Sequence, residues 1–167
     1  LDTAKQAVAR LAEIQSSLAG QKGFDWASQV EILRRAAAGW LALAEKKNDE
    51  ALALMRSAAD LEDSTDKHPV TPGSILPARE QLADLLLELK KPAAALVEYE
   101  ASLRVAPARF NSCLGAAQAA ERSGQKEKAK EMRDRLAAMC GGIVPERGAS
   151  ALAAGDVRIL NSVQSRR

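Results

Sequence analysis

ALVEYEASLRVAP at residues 95–107, set against AKEMRDRL at residues 129–136, decides the fold. Ala95, Tyr99 and Ser102 stand at i, i+4 and i+7, with Pro107 behind them, and Ala129, Arg133 and Leu136 bring the same frame back 34 residues later. A small residue followed one turn on by a larger one, returning at that period, marks a helix-turn-helix repeat in which the alanine sits where two helices cross closely. Ala4, Val8, Leu11 and Ala51, Met55, Ala58 keep the frame too. The expected fold is all-α, with antiparallel helix pairs stacked into a right-handed solenoid. Such arrays are binding surfaces more often than catalysts.

Working outward, residues 2–18 read as one amphipathic helix, with Ala4, Val8, Leu11 and Leu18 on a face. It looks like the second helix of a repeat whose first helix is missing, and Gly20 and Gly23 end it. Asp25 is placed to cap a longer helix running to about Lys47. Trp26, Val30, Leu33, Ala37, Trp40 and Ala44 form its apolar stripe. Asn48 and Asp49 are expected to make the turn and cap a helix over 49–61. Gly39 falls where the pattern wants a small residue opposite Ala51. From Ala51 to Ala95 the spacing is 44, one repeat plus an insertion of ten, and residues 63–75 hold Pro69, Pro72 and Gly73, which forbid regular helix. Helices are then expected over 77–90, 93–105, 110–123 and 125–139. The repeat domain spans 1–140. Residues 141–167, with Gly141, Gly142, Pro145, Gly148 and Gly155, read as a cap or a partly ordered tail.

Composition agrees. The 167 residues suffice for one core, and Ala and Leu dominate while aromatics make up 3%, which suits closely packed helices. A net charge of +2 is too small to argue for nucleic acid or an anionic membrane. No apolar run is long enough to span a bilayer, and no signal peptide is visible in a chain that does not begin with Met. The compartment stays open between cytoplasm and periplasm. Cys113 and Cys140 lack CxxC spacing and read as two separate small thiols, with a disulfide left open.

Over residues 2–140 the chain resembles the tetratricopeptide repeat family. A half repeat lies at 2–18, and repeats lie at 26–62, 76–107 and 110–140. The family's places on the first helix hold Arg79, Leu82, Ala83 and Leu86 in one repeat, and Cys113, Ala116, Ala117 and Ala120 in the next. The second helices match better than the first. The segment from His68 onward is similar to the C-terminal part of longer bacterial members of the family. That likeness implies an absent N-terminal array and no known activity. The family's first helices line a concave face, which implies groove positions at Glu80, Asp84 and Leu87, and at Asn111, Gln118, Glu121 and Arg122. Where the chaperone-binding members carry Lys and Asn, this chain has Glu80 and Asp84, which argues against an acidic tail as ligand. The alternative reading of Glu80 and Asp84 is ordinary solvated residues on a helix face.

The loop at His68, Pro69, Thr71 and Pro72 reads either as a rigid wall of that groove or as a plain bridge between helices. Trp26 and Trp40 suit core packing or ligand stacking. His68 with nearby loop carboxylates falls short of a zinc ligand set, and no EF-hand spacing, P-loop, GxGxxG, HExxH or catalytic triad is present. The expected function is a non-enzymatic scaffold that binds a protein or peptide, without cofactor or metal. The alternative is a regulatory or substrate-binding domain of a longer enzyme or transport system.

Overall fold

A computed structural model describes residues 1–65 and 74–141. The regular secondary structure among those residues is all helical, with no strand: α1 Asp2–Leu18, α2 Trp26–Ala44, α3 Asn48–Ser64, α4 Ala78–Glu88, α5 Pro92–Val105, α6 Phe110–Arg122 and α7 Lys126–Met139. The loop residues His68, Pro69, Thr71, Pro72 and Gly73, and the tail beyond Gly141, lie outside the described residues.

Each helix packs on the next in chain order, and α2 also touches α4, as α4 touches α6. The frame alanines explain the close approach. Ala51, Ala95 and Ala129 are fully buried, each near the start of the second helix of a pair. At Gly39 an added Cβ would come within 3.3 Å of the Ala51 carbonyl, so α2 and α3 cross there almost backbone to backbone. Gly115 on α6 is tighter still, because the Tyr99 ring of α5 occupies the space a side chain would need. Tyr99, Met55, Leu82, Leu85, Met132 and Leu136 are the large buried side chains that fill the rest of one continuous core.

The three tight turns within the pairs share one construction. Lys46, Lys90 and Gly124 have φ of 64°, 57° and 78°. The following N–H groups, of Lys47, Lys91 and Gln125, donate to Ala42, Leu86 and Ala120 at 2.9, 2.9 and 2.8 Å. This six-to-one bond around a left-handed residue satisfies carbonyls that the helix end leaves open. The structure corrects the expected turn at Asn48: α2 ends at Ala44, the reversal is made at Lys46, and α3 begins at Asn48 with no side-chain cap. Asp25 does cap α2, accepting from the Ser28 N–H at 2.9 Å and its hydroxyl at 2.6 Å. Pro92 opens α5, where its missing N–H costs nothing.

α1 buries no residue fully and packs against α2 alone among the described helices. Lys5 reaches Glu45 at 2.8 Å. The α2 stripe is corrected as well. The residues that enter the core are Ile32, Ala36, Gly39 and Ala42, one position round the helix from the expected row. Leu33 is left 54% exposed and Trp26 46%.

Candidate functional site

The displaced stripe produces the candidate surface. Trp26, Leu33 and Trp40 recur every seven residues, two turns of helix, so they share a side of α2. Trp40 is half-buried against the core, and its indole Nε1 donates to Gln81 Oε1 on α4 at 3.0 Å. The row therefore runs along α2 and abuts α4 at one end. At the other end the Trp26 ring stands edge-on to Phe24, centroids 4.9 Å apart. Val30 and Ala37 fill the row between, both half-buried. An apolar row of this length, left partly in water between polar neighbours, is more than scattered surface hydrophobicity.

Beside it, α4 and α6 present the residues expected of a groove, with one clear correction. Glu80 is 1% exposed and does not face a ligand. Arg109 donates to it through Nε at 2.6 Å and Nη2 at 3.2 Å, and the Ser112 hydroxyl donates at 2.5 Å. The cation that two neighbouring carboxylates demand is supplied from inside the chain, at the turn before α6. Sequence spacing could not show this, since Arg109 lies 29 residues away. Asp84 is half-buried and accepts the Tyr99 hydroxyl, which reaches it from α5 past Gly115. Leu87 is buried in the core. On α6, Gln118 is half-buried and Asn111, Glu121 and Arg122 are exposed, with Glu121 paired to Arg133 of α7. The expected set thus splits. Glu80 and Leu87 hold the fold, Glu121 is tied to the neighbouring helix, and Asp84, Gln118, Asn111 and Arg122 remain at the surface.

Sequence reasoning missed a second ionic centre. Arg79, on the first turn of α4, donates to Asp60 at 2.9 Å and Asp63 at 2.7 Å on α3, and to Glu98 at 2.6 Å on α5. These carboxylates raise its already high pKa against the opposing effect of burial. Glu62 accepts the Ala78 N–H at 2.6 Å, so a carboxylate from α3 caps α4 across the insertion. The acidic run Asp60–Asp63 was the available signal, although its partner could not be named.

On α2, Glu31 is held by Arg34 at 2.6 Å and Arg35 at 2.7 Å, which lowers its pKa to about 2 even though burial pulls the other way. Cys113 and Cys140 are both free; Cys113 is buried, and burial raises its pKa. Among the described residues no group of three or more His, Cys, Asp or Glu is placed to hold a metal ion, and no helix is long and apolar enough to cross a membrane. The chain matches no protein-family model, no curated protein and no solved structure.

Proposed function

We propose that this chain is an interaction module of the tetratricopeptide type, a right-handed stack of helix pairs that holds a protein or peptide partner on the side shared by α2, α4 and α6. The observation that carries the reading is the partly exposed row on α2, where Trp26 is 46% and Leu33 54% exposed beside the buried Ile32, Ala36, Gly39 and Ala42. Large aromatic and aliphatic side chains kept in water at regular spacing are the anchors on which helical partners or extended peptides settle. Asp84, Gln118 and Asn111 supply polar contacts that fix orientation. The acid pair does not define the ligand's charge, because Glu80 is neutralised from within.

The test begins with a pull-down using the intact protein and continues with a Trp26→Ser, Leu33→Ser double variant against the recovered partner. Both side chains are about half exposed and outside the buried set of α2, so helix content by circular dichroism should persist. Affinity is expected to fall by roughly tenfold or more, the loss typical of anchor residues. A folded double variant that binds as tightly as the parent would move the site off α2.

A further inference from the structure

A cleft of about 570 Å³ opens on a different part of the molecule, where the end of α3, the start of α4 and the end of α5 meet. Its apolar lining is Ala101 and Val105 of α5, Ala106 just after that helix, and Pro77 just before α4. Val105 is 64% exposed, and Ile75, between the lining residues Ser74 and Pro77, is 92% exposed. Its walls are braced by ion pairs: Arg79 is tied to α3 and α5, and Arg109 is tied to Glu80 and, at 2.6 Å, to the Ile75 carbonyl. Arg109 also lines the cleft, and its Nε and Nη2 are used while its Nη1 meets no acceptor among the described residues.

We infer that this cleft is a second binding site, for an uncharged molecule with an apolar body and a carbonyl or amide oxygen that accepts from Arg109 Nη1. The size suits a small ligand. The charges decide its class. Glu62 and Asp63 line the cleft, Asp60, Glu80 and Glu98 sit on its two arginines, and Arg56 sits on Glu98, so the carboxylates still outnumber the guanidiniums and an anion is repelled. With anions turned away by the surrounding carboxylates, the charged Nη1 still donates to a neutral carbonyl oxygen more strongly than an uncharged N–H would.

N-acetyl-leucinamide, which has an apolar side chain and uncharged carbonyls, is the probe. Titrated into the intact protein and followed by amide NMR, it should shift Ser74, Val105 and Ala106 saturably, with a Kd on the order of millimolar for so small a ligand. N-acetyl-leucine, with a free carboxylate, should bind roughly tenfold more weakly. Val105→Asp, at an exposed position, should abolish the shifts while helix content is kept, and Trp26→Ser should leave them unchanged. The proposal is overturned by any of three results: no saturable shift at those amides, equal binding of the carboxylate, or binding that survives Val105→Asp.

Discussion

Single residues in this molecule act mainly by how closely they let helices approach, or by which charge they neutralise. Gly115 gives the Tyr99 ring its place, so Gly115→Ala must displace that ring and its bond to Asp84. Overpacking of this kind costs about 1–3 kcal/mol and should lower the melting temperature by several degrees, which calorimetry would read. Glu80→Gln leaves Arg109 facing a neutral amide. Arg109 keeps some contact with water, so the loss should be about 2–3 kcal/mol, toward the low end for a broken buried pair. Denaturant titration checks this, and an unchanged midpoint would mean the pair contributes nothing.

Glu31 makes the pH dependence explicit. Its folded pKa, about 2, lies below the ordinary 4.5, so its stabilisation is present above pH 4.5 and is lost as pH falls toward 2. Glu31→Gln should therefore cost about 1–2 kcal/mol at neutral pH, solvent screening included, and nearly nothing at pH 2. A constant difference across that range would show the ion pairs to be incidental.

At the scale of elements, α1 is the weakest part, because it leans on one neighbour and buries no side chain fully. Removing residues 1–20 should leave the signature of six packed helices, and hydrogen exchange in the intact chain should find the α1 amides among the least protected. Strong protection there in a monomer would contradict this. The helix boundaries were largely readable from sequence because each rests on local chemistry: the 34-residue alanine frame, Asp25 as a cap, Pro92 at a first turn. What misled was rotational phase. The row through Trp26, Leu33 and Trp40 has good helical spacing, yet the row through Ile32, Ala36 and Gly39 enters the core, since small residues let α3 come closer than indoles would. Periodicity gives a helix its stripe but not which of two adjacent stripes the neighbours cover. The acid pair on α4 was misassigned for a related reason, as its counter-ion arrives from a turn 29 residues on.

For the whole molecule, stability is a chain of neighbour contacts, with Trp40–Gln81 and Glu80–Arg109 joining one pair to the next. Opening should proceed from the ends inward, so α4 and α5 are expected to exchange slowest. Uniform protection from α1 to α7 would instead mark a single cooperative unit. The shared geometry of the three turns carries this further. Lys46, Lys90 and Gly124 hold the same backbone shape, but only the last is the residue that adopts it without steric cost. From Lys90 to Gly124 the chain runs from one turn to another that shares its left-handed residue and its backbone bond. On the proposed repeat reading such a stretch would serve as a cassette: copied and spliced in at Gly124, it should add a helix pair without a new linker having to be invented.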